Sequence, residues 1–246
     1  MGILQLAARG KLALDDPISK FVANFRVNPA GATGAITVEQ VLSHATGVDF
    51  DELTDVGDDD GCLARYVEKG LNGDAWEPPG LRWNYSNGAY SLLGRLIEVL
   101  DGRPFDDALV ERIGVPLGSS ITTPYRVDPG RTVATSHMPD PSTGQMVADD
   151  RHFPRSAGPA GGALATALDL ARFGHTLTTG GGDLLRSDWA EQMTTPRLPA
   201  TWGHQGLGWL IDHNGDPFLH GGTIGQSADL LTFPGRGTIG ALANSP

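Results

Sequence analysis

The sequence predicts an α+β fold, with helices through most of the chain and an antiparallel sheet at its end. Two patterns carry this expectation. From Ala89 onward, Ala89, Leu92, Leu93, Leu96, Ile97 and Leu100 recur at helical spacing and stop at Gly102, which marks a core helix. From Leu207 onward the period changes to alternation. Four apolar stretches, 207–211, 217–222, 228–233 and 238–243, are separated by turns such as Asn214-Gly215 and Pro234-Gly235-Arg236-Gly237. Helices first and consecutive strands last is the order of an α+β domain, not of alternating βα units.

The remaining elements follow in order. Residues 1–8 read as the second half of a helix, with Ile3, Leu6 and Ala7 on one face and Gly10 as its stop. Asp16 and Pro17 predict an N-cap and first helical residue. A loop at 29–35 leads to Thr37 and Gln40, spaced as a capping box for a helix that buries Val38, Val41 and Leu42 and ends near Gly47. Seven carboxylates follow: Asp49, Asp51, Glu52, Asp55, Asp58, Asp59 and Asp60. They lack the glycine and terminal glutamate of a calcium loop, so a solvated loop is expected. Leu63–Lys69 reads as a short helix closed by Gly70, and 104–113 as another with Phe105, Leu109 and Ile113 inward. The stretch 119–160 is irregular, with short strands expected around 130–138 and 145–149. Thr166 then caps a helix with Asp169 at its third position and Leu170, Phe173 and Leu177 as its stripe, and a short helix covers 187–193.

Composition narrows the function. The 246 residues are 39% hydrophobic, enough for one large domain or two interleaved lobes. A net charge of −11 without any basic run argues against nucleic acid or an anionic membrane as partner. No apolar stretch is long enough to cross a bilayer, and the first residues lack a signal-peptide layout. The expected address is therefore cytoplasmic as given, or periplasmic or secreted behind a longer N-terminus. The single cysteine, Cys62, excludes an internal disulfide and reads as a small apolar helix residue. His44, His137, His152, His175, His204 and His213 show no metal-ligand spacing, so neither metal nor cofactor is expected.

Two motifs carry chemistry. Trp83-Asn84-Tyr85-Ser86-Asn87-Gly88 sets a phenol and a carboxamide two residues apart on a loop that the following helix holds rigid. A tyrosine works as a general acid or base when neighbouring cations lower its pKa from about 10. The competing structural reading makes Ser86 or Asn87 an N-cap and Tyr85 a buried aromatic. Leu219-His220-Gly221-Gly222-Thr223 places a histidine at a strand end before two glycines, which let a substrate backbone lie along the strand as an added edge.

On these residues the chain resembles the serine β-lactamase and penicillin-binding-protein-like family, in particular its class C-like branch of esterases, D-aminopeptidases and D,D-peptidases. The Y-x-N motif falls on Tyr85 and Asn87, and the K-T-G-like motif on His220-Gly221-Gly222. Longer stretches match as well: Leu6 to Pro17, Leu42-Ser43-His44-Ala45-Thr46-Gly47, Pro79-Gly80 through Leu117-Gly118, Ala160-Gly161-Gly162 through Phe173, and Gly206-Leu207-Gly208-Trp209 through Asn244. The resemblance implies one β-lactamase/transpeptidase-like domain over 1–246. Residues 1–20 would be the remainder of the nucleophile helix and its turn, 21–160 a mainly helical lobe, and 161–246 a helix with the sheet lobe. The family's N-terminal strands and C-terminal helix would lie outside this sequence, leaving 238–243 as an apolar edge prone to aggregate.

The resemblance also implies a serine hydrolase in which a serine attacks a carbonyl while a lysine one turn on and the motif tyrosine relay protons. Tyr85, Asn87 and His220 are the implied catalytic residues. Gly221, Gly222 and Thr223 are the implied substrate-binding residues, with the Thr223 N–H as one arm of an oxyanion hole. No serine here has a lysine three residues later. By the resemblance, that S-x-x-K would lie about two helical turns before Met1. Ser227 lacks the flanking glycine and following helix of a nucleophile elbow. A histidine in place of the usual lysine grips a carboxylate less firmly, which favours esters or peptide-like amides over penicillins. The expected partner is thus a small ester or D-amino-acid-type amide. The alternative is a ligand-binding relative, or an inactive piece of a longer enzyme.

Overall fold

A computed structural model describes residues 1–50, 53–69, 71 and 73–246. Asp51 and Glu52 of the acidic stretch, and Gly70 as a helix stop, lie outside the described residues. Helix α1 (Gly2–Ala8) buries Ile3, Leu4, Leu6 and Ala7, and Gly10 ends it at φ 68 with its N–H on the Ala7 carbonyl. Helices α2 (Ala30–Thr33), α3 (Val38–Leu42) and α4 (Cys62–Lys69) precede the central α5 (Asn87–Asp101). Ala89, Leu92, Leu93, Leu96 and Ile97 of α5 are buried as their spacing predicts, and α1, α3, α4 and α6 (Phe105–Leu109) pack around them. Each such leucine contributes about 1.5–3 kcal/mol of transfer free energy, which makes α5 the anchor of the helical part.

Strands β1 (His137–Pro139) and β2 (Met146–Ala148) form a hairpin, followed by α7 (Gly158–Gly161), α8 (Ala167–Thr178) and α9 (Ser187–Thr194). The sheet then runs β3 (Leu198–Ala200), β4 (Gly203–Gln205), β5 (Leu210–Ile211), β6 (Phe218–Thr223), β7 (Ser227–Phe233) and β8 (Gly237–Ala243), antiparallel and in chain order. Helix α8 lies on β7 and β8 so closely that a Cβ on Gly174 would come within 2.4 Å of Thr238. Thr166 and Asp169 form the expected capping box of α8, as Thr37 and Gln40 do for α3. Among the described residues β8 is an edge strand, and Ile239 on it is 57% exposed. No helix among the described residues is long and apolar enough to cross a membrane.

Several expectations need correction. Asp16 does not cap a helix; its carboxylate takes Lys20 and the Ala13 N–H, and a single 3₁₀ turn spans Ile18–Lys20. The 29–35 loop contains α2, and α3 stops at Leu42 because His44 adopts φ 55. In 104–113 Ile113 is buried and Phe105 packs half-buried against the core as expected, but Asp106 is buried as well, held by Arg155 and Thr123, and the last turn widens into a π turn over Val110–Gly114. The sheet has β3 and β4 beyond the four expected strands. Both are three residues long and show no apolar alternation. The stretch 207–211 pairs only at Leu210 and Ile211. The described carboxylates of the acidic stretch are exposed but not left to water alone: Asp59 pairs with Arg65, and Asp60 with the buried Arg155.

Candidate active site

Residues 83–88 are fixed from both ends. Ser86 is extended, at φ −148, and its Oγ accepts the Ala89 N–H at 3.1 Å, so the N-cap of α5 is Ser86 and Asn87 opens the helix. Gly88 donates its N–H to the Phe50 carbonyl at 2.8 Å, and a Cβ there would lie 1.9 Å from that oxygen. Only glycine allows this approach. On the other side, the Trp83 indole N–H donates to Oε1 of buried Gln205 at 2.9 Å, tying the loop to the sheet. Tyr85 stands between these fixings and is 37% exposed.

The strand motif meets this loop. The Tyr85 and His220 ring centroids lie 6.4 Å apart, and Trp83 is equally far from Tyr85 on another side. Strand β5 pairs with β6 only at Phe218 and Leu219, so among the described residues His220, Gly221, Gly222 and Thr223 have a strand neighbour only in β7. Alternate backbone N–H and C=O groups of this segment therefore point along an open edge. Gly221, Gly222 and Thr223 are exposed, and a Cβ on Gly221 would meet Asp229 Oδ1 at 2.1 Å. Thr223 pairs with Ser227, their hydroxyl oxygens 3.1 Å apart, and the Ser227 hydroxyl donates to the Ser245 carbonyl. Burial lowers the pKa of His220, so its imidazole is largely neutral at pH 7.

His44 is the residue that sequence reasoning missed. It is 2% exposed, its carbonyl accepts the Asn84 N–H at 2.7 Å, and its Nδ1 accepts the Ser86 N–H at 3.1 Å. Its ring is 4.4 Å from Tyr85 and 4.9 Å from Tyr90, measured between centroids. Burial, and then the charge of His220, push its pKa down to about 3. The only signal in the sequence was a histidine just past an apolar helix face, which commonly denotes an ordinary core residue.

One side of the site is the open edge of β6. A hollow of about 380 Å³ lined by Asp107, Glu111, Ser120 and Arg126 contains none of these residues. Among the described residues one group, Asp55, Asp58 and His152, brings possible ligand atoms within 4.8 Å of one another. All three are exposed, and His152 is already paired with Asp58 at 3.2 Å. The arrangement brings a phenol and a neutral imidazole together beside the open edge of β6, with Asn87 two residues on from the phenol as the first residue of α5. That set can relay protons and hold an oxyanion beside an extended substrate.

Residues 1–245 match the family model described as Beta-lactamase. The chain belongs to the beta-lactamase family. Among its relatives, this beta-lactamase-family chain is 35% identical to penicillin-binding protein 4 of Amycolatopsis lactamdurans, over 98% of its own length and 67% of that protein's. It is 27% identical to esterase EstB of Burkholderia gladioli, over 91% of its length and 67% of the esterase. Among solved structures, the octameric penicillin-binding protein homologue of Pyrococcus abyssi superposes with TM-score 0.80 at 27% identity, covering 99% of this chain and 59% of that one. A D-stereospecific amidohydrolase of Streptomyces sp. gives TM-score 0.77 at 26% identity, covering 99% and 78%. The beta-lactamase-family chain thus spans about two thirds of the length of each of these two curated relatives. Its mixed architecture of helices and antiparallel sheet is the β-lactamase/transpeptidase-like fold.

Proposed function

We propose that residues 1–246 supply the proton-relay and substrate-edge part of a serine hydrolase site. The site acts through an acyl-enzyme on an ester or a D-amino-acid-type amide. The observation that carries this reading is Tyr85 facing His220 at 6.4 Å beside the unpaired edge of β6. The nucleophile would come from an S-x-x-K segment outside these residues, since no serine within them has a lysine three positions on.

In this reading the serine oxygen bonds to the substrate carbonyl carbon, and its proton passes through the Tyr85 oxygen to the departing alkoxide or amine. The carbonyl oxygen, now negative, takes the Thr223 N–H. Water then attacks the acyl-enzyme, the acid departs and the serine regains a proton. His220, largely neutral, hydrogen-bonds substrate without providing a full cation, which suits neutral acyl groups better than carboxylate-bearing lactams. An esterase and a D-stereospecific amidohydrolase among the similar proteins point to the same bonds.

A second reading, a ligand-binding relative without turnover, draws on the missing S-x-x-K motif. Fluorophosphonate labelling followed by intact mass and peptide mapping separates the two. We expect 1–246 alone to remain unlabelled, with acyl transfer lowered by about a millionfold relative to a complete site. The protein carrying its S-x-x-K segment should gain one adduct on that serine. An adduct on any serine within 1–246 overturns the reading. Ligand retained by the extended protein without labelling establishes the second one.

A further inference from the structure

Resting on the hydrolase reading above, we propose that His44 is the positioning residue of the site: its backbone, its Nδ1 and its ring face together fix where the Tyr85 phenol stands. Tyr85 sits in a loop whose flanking amides, those of Asn84 and Ser86, both donate to His44, one to its carbonyl at 2.7 Å and one to its ring at 3.1 Å. A single residue thus holds the main chain on either side of Tyr85.

The local backbone is costly, and that cost is informative. His44 is the one non-glycine residue at positive φ among the described residues. A left-handed conformation costs an L-residue about 1–2 kcal/mol, and such strain persists where surrounding contacts over-determine it. Here the conformation turns the carbonyl and the ring of His44 toward the same loop. The ring then fills the space between Tyr85 and Tyr90, and the Tyr90 hydroxyl donates to the Leu42 carbonyl at 3.0 Å, fixing the far wall.

The tautomer follows from the partner. Because a backbone N–H donates to Nδ1, that nitrogen carries no proton, and the neutral ring bears its hydrogen on Nε2. A protonated ring would set an N–H against the Ser86 N–H and expel it. Burial and the nearby His220 both disfavour that charge, so the loop keeps its anchor through the pH range in which an ester or amide would be turned over. The left-handed backbone also ends α3, where the Ala45 N–H donates to the Gln40 carbonyl at 2.8 Å, but ending a helix needs no bond from the His44 ring to the loop that carries Tyr85.

Three substitutions separate the contributions. H44N keeps an acceptor near the Nδ1 position and tolerates positive φ, while losing the ring. H44F keeps a ring and loses the acceptor. H44G keeps the backbone and loses both. In 1–246 itself, without turnover, imidazole nitrogen NMR should show a neutral ring protonated on Nε2 at pH 7. The Ser86 amide should be protected from hydrogen exchange in wild type and H44N and exposed in H44F and H44G. In the protein carrying its S-x-x-K segment, p-nitrophenyl ester hydrolysis should lose kcat by roughly a hundredfold in H44F, the scale expected of a displaced catalytic group. KM should change little, and H44N should recover most of the loss. Wild-type kcat in folded H44F, or a Ser86 amide equally protected in every variant, overturns the proposal. A protected amide with the expected tautomer but no hydrolysis by wild type leaves His44 as the loop's anchor and rejects the hydrolase reading instead.

Discussion

Tyr85 and His220 face each other with their ring centroids 6.4 Å apart, one on the loop before α5 and the other on β6. The pairing bridges the helical part and the sheet, so neither half of the molecule holds the site by itself. On the hydrolase reading, removing the phenolic oxygen with Tyr85→Phe should lower kcat of the protein carrying its S-x-x-K segment by about 10²–10⁴-fold, the usual contribution of a general acid or base. Tm should stay near wild type because the ring remains. Steady-state hydrolysis of a p-nitrophenyl ester, alongside a thermal melt, checks both.

Gly88→Ala should damage the fold and the site together. The new methyl would lie 1.9 Å from the Phe50 carbonyl oxygen and 2.8 Å from the Tyr66 hydroxyl. Both neighbours are packed, and overpacking of this kind costs about 1–3 kcal/mol or more. Urea unfolding followed by tryptophan fluorescence should show a lower midpoint, whereas Gly222→Ala, where nothing lies within 4 Å, should leave the midpoint in place.

Acid should weaken the fold through His44. Its folded pKa is lowered from 6.5 to about 3, so the unfolded chain takes up the proton first. Stability is therefore full above about pH 6.5 and falls by up to about 1.4 kcal/mol per pH unit until about pH 3. His220, shifted in the same direction by burial, steepens the upper part of that slope. Asp169 adds a separate limb: burial opposes its ionisation, but hydrogen bonds from Ser120 and Thr166 prevail and hold its pKa at about 2. Its stabilising effect is present above the ordinary carboxylate range and is lost as pH falls toward 2. Urea midpoints measured from pH 7 to pH 4 should fall steadily in wild type and less steeply in His44→Asn.

Arg155→Met should be severe. Arg155 is 6% exposed and donates to Asp106, also buried, at 2.6 Å, and to Asp60 at 2.7 Å. Removing the cation strands a buried carboxylate, which costs about 3–5 kcal/mol. The double variant Arg155→Met, Asp106→Leu should regain much of that loss. A double variant no more stable than the single one would show that the pair does not act as a unit.

The free edge of β8 should make 1–246 associate. Ile239 and Leu242 are both exposed on a strand that, among the described residues, pairs only with β7. Sedimentation velocity at increasing concentration should reveal self-association, and Ile239→Lys should reduce it. A monodisperse wild-type sample would contradict this expectation.

Much of this architecture can be read from residue patterns. The α5 stripe, both capping boxes and the strands β6, β7 and β8 declare themselves because each depends on local spacing that burial enforces. Residues Tyr85 and His220 could be named from their motifs, yet their meeting depends on sheet order and loop path, which no local window contains. His44 was opaque for a related reason. Its role arises from a backbone angle and from amides far along the chain, and a histidine after a helix looks the same whether or not a loop hangs from it. Strands β3 and β4 were hidden by brevity, since three residues cannot display a period.

The indole of Trp83 and the carboxamide of Gln205 form a crossbar between the two halves of the molecule, and Gln205 also donates to the carbonyls of Gly206 and Trp209. Prying the halves apart would leave a buried amide without its donor, a penalty of about 1–3 kcal/mol that thermal breathing rarely meets. The loop that carries Tyr85 is accordingly tied to the sheet that carries His220, and loosening the crossbar would shift one ring against the other.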